Sequence, residues 1–86
     1  MRYVISEGWS HIFSLGERDT RWVYDRETER LVHLQIFYGV GGFRSAPSEA
    51  YPDVEDSLKN ANPEALDHPE EEGLQVSDTL PAWAYA

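Results

Sequence analysis

The sequence contains no cysteine and a single lysine, and both shortages limit what the chain can be. Without cysteine it forms no disulfide and offers no thiolate ligand to a metal. No run approaches the about 18 apolar residues of a membrane-spanning helix. The N-terminal stretch MRYVISEGWS also lacks the apolar segment of a secretory signal. We therefore expect a soluble cytoplasmic protein that does not bind a membrane.

The size and composition predict one folded unit. A chain of 86 residues is too short for two independent cores. Hydrophobic residues make up 41% of the chain and aromatic residues 13%, which indicates a packed core instead of global disorder. We therefore expect residues 1–86 to form a single domain. Its stability should be modest, because a short chain buries a smaller fraction of its surface.

The acidic residues are concentrated in the second half of the chain. Residues 1–44 contain six arginines and six acids, whereas residues 45–86 contain ten acids against Lys59 alone. The second half therefore carries the whole net charge of −9. Phosphate and anionic lipid repel such a segment, and basic protein surfaces attract it. Direct binding of DNA or RNA through residues 45–86 is not expected.

The first half is predicted to form β-strands. Short runs rich in β-branched and aromatic residues alternate with polar or glycine-containing connections, which is typical of antiparallel strands. The predicted strands cover residues 3–5, 9–15, 21–24 and 31–38. The wholly polar residues 25–30 join the last two strands as a hairpin. We therefore expect a four-stranded antiparallel meander in the charge-neutral residues 2–44.

The last predicted strand has two distinct faces. One face is aliphatic except for a phenol and is expected to point into the core; it consists of Val32, Leu34, Ile36 and Tyr38. The glycine-rich residues 39–42 follow directly and are expected to end the sheet. Their spacing matches neither a P-loop nor a dinucleotide fingerprint, so we expect no phosphate site there.

After residue 45 the pattern changes from that of strands to that of helices. Val54, Leu58 and Ala61 are four and three residues apart, which places them on one stripe of an amphipathic helix. Pro52 suits the first turn of this helix. Together with the strands, short acidic helices that pack on the sheet make an α+β fold.

Two further turns are predicted beyond this helix. Asn62 and Pro63 are typical of an N-cap and a first helical residue, and Pro69 is expected to end this second helix. A last short turn over residues 79–84 has Leu80 and Trp83 as its apolar anchors.

The acids of the second half define a candidate partner-binding surface. They are interleaved with apolar residues, so the segment can fold onto the sheet and hold the charges in place. Carboxylates on neighbouring helical turns lie about 5–6 Å apart at Cβ, which is loosely comparable to the charge spacing along a nucleic-acid strand. The surface is predicted to consist of Asp53, Glu55, Asp56, Glu64, Asp67, Glu70, Glu71 and Glu72, with Tyr51 or Trp83 as an apolar anchor.

Other interpretations of these acids are open. A solvated helical face that merely keeps the protein soluble accounts for the same charges. A calcium site is disfavoured, because the acids do not alternate around a glycine turn.

The aromatic and histidine residues of the first half have two interpretations. If they share one side of the sheet, they form a platform of the kind that stacks single-stranded bases; otherwise they form the core, which we expect. The residues concerned are Trp9, His11, Phe13, Trp22 and Tyr24. His11, His33 and His68 show none of the usual zinc spacings. No nucleophile elbow is present either, so we expect no metal, no cofactor and no catalytic site.

The small size, acidic charge, lack of cysteine and sheet with short helices form a profile that resembles many phage- and plasmid-encoded proteins. Among them are anti-restriction and anti-CRISPR inhibitors and antitoxins. The resemblance rests on composition and not on a motif. It implies a non-enzymatic protein, acting as a nucleic-acid mimic, that occludes a basic surface on a nuclease, a toxin or a nucleic-acid-binding effector.

Two alternatives come from other functional classes. One is a small enzyme or a ligand- or metal-binding domain that uses the Trp/His face. The other is a structural accessory module that forms a homodimer through an exposed strand edge.

Overall fold

The part of the chain that the structure describes folds as an antiparallel sheet with two short α-helices on one face. The computed structural model describes residues 1–9, 19–46, 52–60 and 63–85, and of Gly8, Trp9 and Asp53 it describes the backbone alone. The strands are β1 (Tyr3–Trp9), β2 (Thr20–Asp25), β3 (Arg30–Phe37), β4 (Phe43–Ala46) and β5 (Gln75–Ser77). They lie in the order β4-β3-β2-β1-β5, and all neighbours are antiparallel. The helices are α1 (Pro52–Asn60) and α2 (Pro63–Asp67). The predicted α+β fold is confirmed.

The sheet of the described residues has five strands, whereas the sequence predicted four. Residues 39–42 do not end the sheet but turn it back on itself, because the Tyr38 N–H donates to the Gly42 carbonyl over 2.9 Å and β4 follows. Strand β5 comes from the acidic half and pairs with β1. Both added strands are too short to show a periodic pattern. Most of the strand predicted over 9–15 lies outside the described residues.

The expected core face of β3 is wrong at both ends. Val23 pairs with His33 but Tyr24 pairs with Leu31, so Val32 is an extra residue in a β-bulge. A bulge reverses the alternation of side chains beyond it. Leu31 therefore joins the core, while Val32 is 38% exposed. Tyr38 lies one residue beyond the end of β3 and is 44% exposed.

The helices cover the face of the sheet that carries the main core. The predicted stripe of α1 is confirmed at Val54 and Leu58, which are fully buried, while Ala61 lies outside the described residues. Pro52 begins α1 and Pro63 begins α2, as predicted. The buried cluster consists of Val4, Trp22, Tyr24, Leu31, Leu34, Val54 and Leu58.

The C-terminal segment is held on the opposite face. A short 3-10 helix over Ala82–Tyr85 lies close to the buried Gln35. The Gln35 side-chain amide accepts a hydrogen bond from Arg21 Nε over 2.6 Å and donates to the Trp83 carbonyl over 3.1 Å. The Arg21 guanidinium lies 4.7 Å from the Trp83 ring centroid. Both faces of the sheet are therefore packed, with Val23 buried on this second face.

Truncating the buried Leu58 side chain of α1 should destabilise the protein. We expect Leu58→Ala to lower the free energy of unfolding by about 2–5 kcal/mol, because it removes buried methyl groups and leaves a cavity. Urea denaturation followed by circular dichroism measures this change. The matched control is Asp56→Ala on the exposed side of the same helix, which should change stability by no more than about 0.5 kcal/mol. Equal effects of the two variants would contradict the docking of α1.

The buried side-chain amide of Gln35 should contribute to stability and hold the C-terminal segment on the sheet. We expect Gln35→Ala to cost about 1–3 kcal/mol, because Arg21 and the Trp83 carbonyl lose a buried partner. Limited proteolysis should then cut the C-terminal segment faster. Gln75→Ala is the control, since the Gln75 amide makes one exposed contact of 3.4 Å to Glu7. Unchanged proteolysis of the Gln35 variant would rule out this anchoring role.

Candidate acidic partner-binding surface

Three consecutive helical segments present the acidic side chains. Helix α1 is anchored by its buried stripe, α2 by the buried Ala65, and a 3-10 helix over Pro69–Glu72 by the buried Pro69. Since the apolar residues of each segment face the sheet, the carboxylates project outward. The exposed carboxylates, together called the acidic surface below, are Asp56, Glu64, Asp67, Glu70, Glu71 and Glu72.

Backbone hydrogen bonds fix the path of the chain under these carboxylates. The His68 N–H donates to the Glu64 carbonyl over 2.7 Å, and the Leu74 N–H donates to the Pro69 carbonyl over 2.8 Å. Gly73 closes the 3-10 helix with a φ of 76°, a left-handed conformation that glycine adopts without strain. The acids from Glu64 to Glu72 therefore belong to a hydrogen-bonded segment.

Glu55 differs from the other acids because it is neutralised within the molecule. It accepts from Lys59 Nζ, one turn further along α1, over 3.0 Å and from Arg30 Nε over 3.1 Å. Its side chain is only 14% exposed. Burial raises the pKa of the Glu55 carboxyl, but the hydrogen bonds from Lys59 and Arg30 outweigh this and leave the pKa below its usual value. Glu55 ties α1 to the start of β3.

Two more arginines of the first half, Arg2 and Arg26, make contacts that link distant parts of the chain. The Arg2 guanidinium donates to the buried Asp25, with Nη2 to Oδ2 at 2.9 Å, and its backbone N–H donates to Asp78 over 3.1 Å. Arg26 donates to the Leu66 carbonyl over 3.2 Å and thereby joins the β2–β3 turn to α2. Among these arginines, Arg26 and Arg30 hold the acidic half through their side chains, whereas Arg2 does so through its backbone N–H.

The acidic surface itself is left without such compensation. Within the described parts of the chain, none of its six carboxylates takes part in an ion pair; the pairs present involve Asp25, Glu27 and Glu55. Six negative charges thus remain exposed on packed segments, which creates a strongly negative potential on one side of the molecule.

The structure brings most, but not all, of the predicted partner-binding residues together. Six of the eight predicted acids form the acidic surface, while Glu55 is internal and the side chain of Asp53 is not described. Tyr51 lies outside the described residues. Trp83 lies on the opposite face of the sheet, where its Nε1 donates to Glu7 over 2.8 Å. Trp83 therefore cannot act as an anchor within the acidic surface.

Two neighbouring grooves, of about 610 and 400 Å³, border the acidic surface. Both have Arg26 and Asp67 in their walls. The larger one also has Leu66 and Pro63 as apolar walls and lies beside Lys59. No pattern in the sequence could indicate these grooves, because their walls come from the β2–β3 turn and from helices that are distant in the chain.

The Trp/His face does not form an open platform where it is described. Trp22 and Tyr24 are buried beneath α1, in agreement with the expected core role. His11 and Phe13 lie outside the described residues, as does the side chain of Trp9. The described residues include no group of three or more potential metal ligands. None of the helices found in residues 52–60 and 63–85 is long and apolar enough to cross a membrane.

Comparison with protein-family models, curated proteins and solved structures finds no match.

The Arg2–Asp25 pair should make stability depend on pH in acid. The hydrogen bond from Arg2 lowers the pKa of Asp25 to about 2, against an ordinary value of 3.8, although burial opposes the shift. Because the folded pKa is the lower one, the pair stabilises the fold fully above pH 3.8 and loses this contribution as the pH falls towards 2. Urea unfolding measures the free energy of unfolding over this pH range. The difference between wild type and Asp25→Asn should be largest near pH 3.8 and should shrink as the pH falls towards 2.

A second variant tests the physical cause. Arg2→Gln removes the donor, so it should reduce the acid dependence in the same way as Asp25→Asn. If either variant kept the full wild-type pH dependence, the Arg2–Asp25 pair would not be its origin.

Proposed function

We propose that this protein is a non-enzymatic binding protein whose acidic surface covers a basic surface of a partner protein. The observation that carries the proposal is the set of six exposed carboxylates on packed helical segments, without ion pairs in the described chain. A partner's lysines and arginines would supply the missing compensation. Complementary charges of this kind mainly speed association and select the partner.

The rigidity of the segments supports binding over a mere solubility role. Charges that only improve solubility can lie on any exposed position, including flexible tails. Here Pro69, Ala65 and the α1 stripe are buried, so the acids are held in fixed positions. Binding then loses less conformational entropy than it would with a disordered acidic tail.

The grooves give the proposed surface a place for anchoring side chains. Binding energy usually concentrates in a few large side chains that fill pockets. Asp67 lines the larger groove together with Leu66 and Pro63. A partner arginine or tyrosine could therefore place its apolar part on Leu66 while its polar end meets a carboxylate.

The partner class that fits this proposal is a protein that handles nucleic acid, such as a nuclease, a toxin or a nucleic-acid-binding effector. Such proteins carry cationic grooves that follow a phosphate backbone. Carboxylates about 5–6 Å apart on successive helical turns are close enough to occupy several phosphate positions. The protein would act by occlusion, as anti-restriction, anti-CRISPR and antitoxin proteins of similar composition do.

Charge reversal tests the proposal. Proteins captured from the native cell are identified by mass spectrometry, and the dissociation constant of a purified partner is then measured. We expect Glu64→Lys combined with Glu71→Lys to weaken binding by about tenfold or more, because each exposed pair contributes about 0.2–1 kcal/mol and repulsion replaces attraction. Asp19→Lys, at an exposed position away from the acidic surface, is the control and should change affinity by less than about twofold.

Salt and nucleic acid provide independent readouts. The wild-type affinity should fall between 0.1 M and 1 M salt, as the screening length drops from about 10 Å to about 3 Å. A DNA or RNA duplex should compete with the protein for the partner. Binding that ignored salt, charge reversal and competing nucleic acid would refute the proposal.

A further inference from the structure

An exposed apolar patch lies at the end of the sheet away from the acidic helices. Strand β3 begins at Arg30, which binds Glu55 of α1, and ends at Phe37, where the β3–β4 turn begins. Phe37, Tyr38 and Val40 are three of the six large apolar side chains that are exposed in the described chain. The other three are Met1, Val32 and Tyr85. These three residues are called the hairpin patch below.

Folding of the chain does not account for Val40. Gly39 and Gly42 both have a φ of 68°, which lets the turn fold tightly and leaves Val40 fully exposed at its tip. Turn tips usually carry polar residues or glycine. An apolar side chain there gains no burial from folding. Together with Phe37 and Tyr38 it adds to an exposed apolar patch, and such patches are typical of contacts with another molecule.

The base of the hairpin patch is firmly held. The rings of Phe37 and Phe43 lie 5.2 Å apart, and the Arg21 guanidinium lies 4.1 Å from the Phe43 centroid. The Phe37 N–H also donates to the Asp19 carbonyl over 2.9 Å. Within the described residues β4 is an edge of the sheet. A patch fixed in this way is preorganised for contact, and an edge strand beside it favours association.

The charge distribution is compatible with a second copy of the chain at the hairpin patch. Residues 37–46 contain a single charged side chain, Arg44, in a chain of net charge −9. A second copy of the chain would be repelled from the acidic surface, which lies on the far helices. At the hairpin end the two copies could meet with little repulsion, since screening limits charge effects to about 8 Å at physiological salt.

We propose that the protein forms a symmetric homodimer in which the hairpin patch packs against the same patch of a second copy. Such a contact is self-complementary, as in most small homodimers. The dimer would present its two acidic surfaces on opposite sides, so it could engage a partner with two basic sites more tightly than a monomer. The inference does not depend on the function proposed for the acidic surface.

The absence of native cysteine allows a direct test. Val40→Cys introduces the sole thiol, at the predicted two-fold axis. We expect mild oxidation of dilute protein to convert Val40→Cys to a disulfide-linked dimer several times faster than Glu71→Cys, the control on the acidic surface. Equal rates for the two variants would overturn the proposal.

The mass in solution provides the second measurement. In sedimentation equilibrium the mass of wild type should rise with concentration towards twice the chain mass, whereas Val40→Lys should keep the mass of one chain. Because Val40 is fully exposed, Val40→Lys should change the free energy of unfolding by no more than about 0.5 kcal/mol. A wild-type monomer at all concentrations, or a dimer that survives Val40→Lys combined with Tyr38→Ala, would show that the hairpin patch does not join two copies.

Discussion

The burial of Val54 and Leu58 together with Trp22 and Leu34 is the contact on which the arrangement of this protein depends. It brings an acidic helix onto a sheet that is built mainly from the charge-neutral first half of the chain. The packing must overcome the mutual repulsion of the carboxylates on α1, α2 and the following 3-10 helix. Apolar burial achieves this because it is insensitive to charge and grows with the area removed from water.

The arginines of the first half divide the acids into two groups. Arg30 and Arg2 neutralise Glu55 and Asp25, which are partly or wholly buried and serve the fold. The carboxylates of the acidic surface receive no such partner in the described chain. A charge that the fold does not need and does not neutralise is free to act on another molecule, and this difference underlies the proposed function.

The molecule therefore has two ends of different chemistry. The helical side is acidic and bordered by grooves, whereas the β3–β4 turn is apolar and nearly uncharged. The proposed contacts follow from this division, with electrostatic recognition of a basic partner at one end and apolar self-association at the other. Each contact can be removed by substitutions that leave the core untouched, because Glu64, Glu71 and Val40 are all exposed.

Several features were accessible from the sequence because they depend on local chemistry. The α1 stripe follows from the spacing of Val54 and Leu58, and the helix starts follow from Pro52 and Pro63. The position of the acids along the chain can be read directly from the sequence. Periodicity and proline geometry act over a few residues, so no knowledge of distant contacts is needed.

Other features were decided by the tertiary structure. The bulge at Val32 arises from the pairing of β3 with β2, and it reverses which side chains face the core. The short strands β4 and β5 exist because a neighbouring strand supplies their hydrogen bonds. Long-range contacts also removed Glu55 from the acidic surface and carried Trp83 to the opposite face. By itself the sequence determined where the negative charge lies along the chain. Pairing and packing between distant segments determined which charges are neutralised and which remain exposed, because ion pairs depend on distance in space.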